Sequence, residues 1–124
     1  MNVHLRRLII GLSTMLLLIA FSVSAATVAD RLSGSWEAEV TGDGKTFSFI
    51  FEFRARGNAL SGTVELPSQD RSFDIRDGKI NGYGISFEAF GIWTGTLEGD
   101  QLTLTRELDY GKKQHMKAHR KRGQ

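Results

Sequence analysis

His115 and His119 stand four residues apart, the spacing at which two imidazoles on one helical face can share a zinc ion. On a strand the same spacing puts them about 13 Å apart, too far for one metal. The local period decides between the two, and Met116 and Ala118 alternate here with His115, Lys117 and His119 as in a strand. The segment therefore predicts two solvated, outward histidines and no metal site. Glu37/Glu39 and Asp74/Asp77 are carboxylate pairs of the type that performs acid–base work. On exposed strand faces with arginines nearby, such residues read as a soluble surface. With no cysteine, thiol catalysis, thiolate metal sites and disulfides are excluded. No G-x-S-x-G elbow, phosphate loop or HExxH occurs. The expectation is a protein with no catalytic residue, metal or cofactor, and hence not an enzyme.

What remains is binding, and the residues suited to it are aromatic. Phe47, Phe49, Phe51, Phe53 and Ala55 share one strand face, opposite Ser48, Glu52, Arg54 and Arg56, with only Ile50 breaking the alternation. Phenylalanines at i, i+2, i+4 and i+6 would scatter around a helix, so this is a half-buried antiparallel strand. The same period runs through Trp36–Val40, Leu60–Leu66, Phe73–Ile75, Ile85–Ala89, Trp93–Leu97, Leu102–Leu104 and Met116–Ala118. Turn signals separate these runs: "TGDGK", "RGN", Pro67, Asn81-Gly82, "EGD" and "DYGKK". Asp77-Gly78 predicts a tight hairpin into Ile80. The fold class is all-β, a single antiparallel up-and-down meander barrel of about eight strands. "LSGSW", "LSGTV" and "WTGTL" echo one another at unequal spacing and place Gly34, Gly62 and Gly95 on the inward parity. Phenylalanine rings lying over those glycines at barrel corners would explain them.

Gly34-Ser35-Trp36 opens the first strand, and there it resembles the G-x-W signature of calycins, the superfamily of lipocalins and avidin-like barrels. The resemblance implies a small β-barrel whose first-strand tryptophan packs at the closed end beneath an arginine from the end of the barrel. Arg120 is the position that matches, and it shares the parity of Met116 and Ala118. Gly34, Trp36 and Arg120 would then form a clasp joining first strand to last, through a cation–π contact of about 0.5–2 kcal/mol. The T-D-Y motif of lipocalins is absent. The resemblance carries the fold and the clasp, and no ligand.

Before the barrel, Arg6 and Arg7 precede an uncharged apolar run from Leu8 to Val23, and "SAATVA" follows. Basic, apolar, then small residues is the order of a secretory signal peptide, and the run is short of the ~20 residues that span a bilayer. Val23 and Ala25 fit cleavage after Ala25, with Ala26 and Ala29 as alternatives. This gives a signal-peptide helix over 1–25 and one β-barrel domain over 26–124, exported to the periplasm or secreted. Charge divides along that domain. Residues 26–111 carry 8 basic and 14 acidic side chains, while 112–124 carry 6 basic and none acidic. An acidic body with a basic C-terminal end does not read as a nucleic-acid binder. Membrane contact is expected only through the signal segment or that basic end.

Two functions fit this description. In the first, a lipocalin-like module holds a small apolar ligand at the barrel mouth, with Phe49, Phe51, Phe87 and Trp93 as candidate contacts. In the second, side chains fill the barrel, and the outside serves a protein partner, as in an inhibitor or interaction protein of the cell envelope. Eight-stranded barrels accommodate either arrangement.

Overall fold

Alternating aromatic and polar residues give the longest strand of the computed structural model, which describes residues 27–121. In chain order the elements are α1 (Val28–Leu32), β1 (Gly34–Gly42), β2 (Lys45–Arg56), β3 (Ala59–Leu66) and β4 (Arg71–Asp74). Then follow β5 (Arg76–Asn81), β6 (Gly84–Glu88), β7 (Ile92–Glu98), β8 (Gln101–Glu107) and β9 (Lys113–Arg120). All pairings are antiparallel, and their order is β2-β1-β9-β8-β7-β6-β5-β3-β4. A further β2–β3 pairing closes the ring. The signal-peptide helix expected over 1–25 lies outside the described residues, as do 122–124 at the basic end.

Nine strands make an eight-stranded barrel because β4 and β5 occupy one position. β3 pairs β5 through Ala59 and Leu60, and β4 through Thr63–Leu66. Between them the Ile75 amide donates to the Gly62 carbonyl at 2.9 Å. The hairpin expected at Asp77-Gly78 is therefore absent. A two-residue type I′ hairpin needs positive φ at both central residues. Here Asp77 has φ +52°, Gly78 does not join it, and the register against β6 shifts between Arg76 and Lys79. The dipeptide forms a bulge in a strand that continues. Gly78 lies so close to the Leu60 carbonyl that a side chain there would collide with it.

Inward positions form one core: Trp36, Phe49, Phe51, Phe53, Phe87, Trp93, Leu102 and Leu104 are each at most 3% exposed. Phe53 is directly opposed to Gly34 on β1 and to Gly62 on β3, whereas Gly95 faces Leu104. A Cβ on Gly95 would meet Leu104 and Ile85, one on Gly62 would meet the Glu52 backbone, and one on Gly34 would meet Arg120. The short helix α1 had no counterpart among the expected elements. Thr27 accepts from the Asp30 amide at 3.1 Å and Asp30 accepts from the Thr27 amide at 3.3 Å, a reciprocal capping box. Leu32 from this turn is fully buried and plugs the end of the barrel where β1 begins. Arg31 fastens the helix to the β7–β8 turn by donating to the Gly99 carbonyl at 2.9 Å.

Candidate functional site

Meander order sends alternate turns to opposite ends of the barrel. The α1 end holds the start of β1, the end of β9, and the β2–β3, β5–β6 and β7–β8 turns. The other end holds the β1–β2, β3–β4, β6–β7 and β8–β9 turns. Each end is closed by a tryptophan and an arginine.

At the α1 end, Trp36 and Arg120 are directly opposed across β1 and β9. The Arg120 guanidinium carbon lies 4.6 Å from the indole centroid. Its Nη1 donates to the Ser33 carbonyl at 2.5 Å, and Nη2 donates to the Arg31 carbonyl. Below, the Trp36 indole N–H donates to the Leu32 carbonyl at 2.8 Å. Gly34 holds φ +122°, and a Cβ there would stand 2.6 Å from Arg120 Nη1. Glycine at the first position of the tripeptide is thus required both by its backbone angle and by the guanidinium that crosses it.

The opposite end repeats this arrangement with residues that the sequence reading did not connect. Gly91-Ile92-Trp93 is a second G-x-W. Gly91 holds φ +120°, and a Cβ there would meet the Arg106 side chain at 3.2 Å. The Trp93 indole N–H donates to the carbonyl four residues back, Ala89, at 2.8 Å. Trp93 and Arg106 are directly opposed across β7 and β8, with the guanidinium carbon 5.6 Å from the indole centroid. The sequence signal for this arrangement is the recurrence of G-x-W, at Gly34-Ser35-Trp36 and Gly91-Ile92-Trp93.

The two arginines differ in what satisfies them. Arg120 is exposed and bonded to two carbonyls, whereas Arg106 is only 7% exposed. Arg106 is surrounded by Phe49 at 5.4 Å, Phe90 at 5.3 Å and Trp93. Burial lowers its pKa from the ordinary guanidinium value. Above it, Phe90 stacks on Phe73 with centroids 4.8 Å apart, and Arg71 lies over both rings.

Phe49, Phe51, Phe87 and Trp93, the candidate ligand contacts, are brought together, but against each other. Trp93 meets Phe49 and Phe51 edge-on at 5.6 and 5.2 Å and stacks on Phe87 at 5.7 Å. Five open depressions of about 180–410 Å³ on the described surface are lined by none of the four. One of these, on the outer face, gathers Glu37, Glu39, Lys117, His119 and Arg120. His115 bonds Thr105 at 3.0 Å. Among the described residues, no three histidines or carboxylates lie close enough to hold a metal ion.

Compared with protein-family models, curated proteins and solved structures, the chain matches none. Its own geometry therefore carries the functional reading. Of the four large exposed hydrophobic residues among the described residues, Phe90, Ile92 and Tyr110 lie at the Arg106 end, and Tyr83 at the α1 end.

Proposed function

We propose that this chain is an exported, non-enzymatic protein of calycin-like architecture that works through the outside of a filled barrel. It acts as a protein-interaction or inhibitor protein of the cell envelope. The observation that carries this reading is the mutual packing of Phe49, Phe51, Phe87 and Trp93, which consumes the aromatic surface a small apolar ligand would need. Closely packed aromatic pairs contribute about 0.5–1.5 kcal/mol each beyond burial, so a ligand entering among them would have to replace that gain. The G-x-W tripeptide, its arginine and the meander support calycin-like kinship.

The working surface is the Arg106 end, where Phe90, Ile92 and Tyr110 project around a rim of turns. Exposed aromatic residues beside arginine are the composition of protein-binding hot spots. Site-specific photo-crosslinking in the producing cell tests this. A benzophenone amino acid replacing Tyr110 should capture an envelope protein, whereas the same probe replacing Tyr83 should not. Equal capture from both positions, or capture from Tyr83 alone, would refute the assignment.

A further inference from the structure

Arg106 is the one charged side chain buried among the described residues, and it has no carboxylate beside it. Its Nε has no hydrogen-bond partner, and its Nη1 reaches only the Phe90 carbonyl, at 3.4 Å. Directly opposite on β9, Gln114 buries Oε1 without a partner. Two orphaned polar atoms thus sit on adjacent strands in opposed positions. A buried guanidinium with an empty donor is costly, and three aromatic rings supply attraction but no acceptor. The clasp at the other end shows that the fold does not require this arrangement. Arg120 closes its end while exposed and bonded to backbone carbonyls.

The surroundings indicate how a counter-ion would arrive. Phe90, 49% exposed and held at φ +49°, roofs Arg106 between two open depressions of about 340 and 180 Å³. On this approach the smaller depression is lined by Glu107 and Asp109, with Glu107 directly across from Lys113, and the larger by Asp74 and Arg76. Arg71, above Phe73 and Phe90, adds positive charge to the approach.

We infer that Arg106 receives a carboxylate from the protein partner, an Asp or Glu side chain inserted beside Phe90 while its apolar neighbours cover Phe90, Ile92 and Tyr110. The carboxylate accepts from Arg106 Nε. It also accepts from the Gln114 amide, which presents its NH₂ in place of its oxygen by a half-turn of the last torsion. This rests on the reading that the Arg106 end meets a protein.

The test is NMR on the ¹⁵N-labelled mature chain, following the Arg106 Nε–H and the Gln114 side-chain amide. Three probes are titrated: acetyl-Leu-Glu-Leu-amide, its glutamine counterpart and propionate. The glutamate peptide is expected to move both signals, and the glutamine peptide neither. Arg106→Met and Arg106→Lys should each keep a dispersed spectrum and abolish the Gln114 response; the wild-type comparison stands even if one of them fails to fold. Equal shifts from both peptides, or no movement of Arg106 up to about 10 mM peptide, would overturn the inference. A propionate response equal to that of the glutamate peptide would also overturn it, in favour of a small free acid. Crosslinking at Tyr110 with a silent Arg106 would leave the interface reading standing and remove the carboxylate from it.

Discussion

Removing Arg120 isolates what the clasp contributes at the α1 end. Arg120→Ala loses the stacking over Trp36, about 0.5–1 kcal/mol for an exposed guanidinium. It also loses two charge-assisted bonds to the Ser33 and Arg31 carbonyls. Water can replace those bonds at an exposed site, so they add about 1 kcal/mol together, for a total near 2 kcal/mol. For a domain of this size that corresponds to a melting-temperature loss of about 8–16 °C. Trp36→Ala, a large core truncation, should cost about 3–5 kcal/mol, much of the stability of a small domain. A double-mutant cycle is therefore better run with Trp36→Leu, which keeps part of the volume and costs about 2–3 kcal/mol. Urea unfolding should show coupling of about 0.5–1 kcal/mol between Trp36→Leu and Arg120→Ala, because the stacking can be lost only once. Trp93→Leu paired with Arg120→Ala supplies the control. Those residues close opposite ends, so their costs should add. Additivity at Trp36 and Arg120, or equal coupling in both pairs, would refute the clasp as a direct contact.

The glycines make a matched prediction. Gly34→Ala and Gly91→Ala each force a side chain onto a residue at φ near +120° and against an arginine, so both should lower stability by more than about 1 kcal/mol in urea titration. On export, cells making the full chain should release a soluble form beginning near Ala26, read by amino-terminal sequencing. Cleavage after Ala29 would remove the Thr27 cap and the first two of the five residues of α1, and should give a less stable product. If the basic end serves an anionic polymer or membrane, binding to anionic vesicles should fall steeply with salt. Neutralising Lys112, Lys121 and Arg122 should then abolish it with little change in melting temperature, whereas Lys113 begins β9 and is better left intact.

Much of the architecture was legible because inward residues repeat with period two over long stretches. β2 is the clearest case, with Phe49, Phe51 and Phe53 all buried and Arg54 exposed. Parity put Trp36 and Arg120 on inward positions of first and last strand, but their pairing was what the calycin resemblance implied, since any shift by two residues keeps the same parity. Elements too short to display a period were not legible that way. One turn of helix at Val28–Leu32 offers only its capping box, and Thr27-x-x-Asp30 lies among small residues that also suit a cleavage site. Asp77-Gly78 misled because the dipeptide is a hairpin signal, while the parity change from Ile75 to Ile80 is what a bulge produces. At the site, aromatic residues were recognisable as inward, but whether inward rings enclose a space or fill it depends on ring contacts that alternation does not encode. The orphaned Nε of Arg106 was similarly hidden, since it depends on which acceptors fail to reach it.

Native mass spectrometry of the mature protein, taken gently from the envelope of its own cells, tests the central claim most directly. A filled barrel serving a partner predicts the mass of the polypeptide alone, together with a heavier species that contains a second protein and disappears when Phe90 and Tyr110 are replaced by serine. A small molecule retained on the chain at one-to-one stoichiometry, and displaced by apolar compounds, would contradict it.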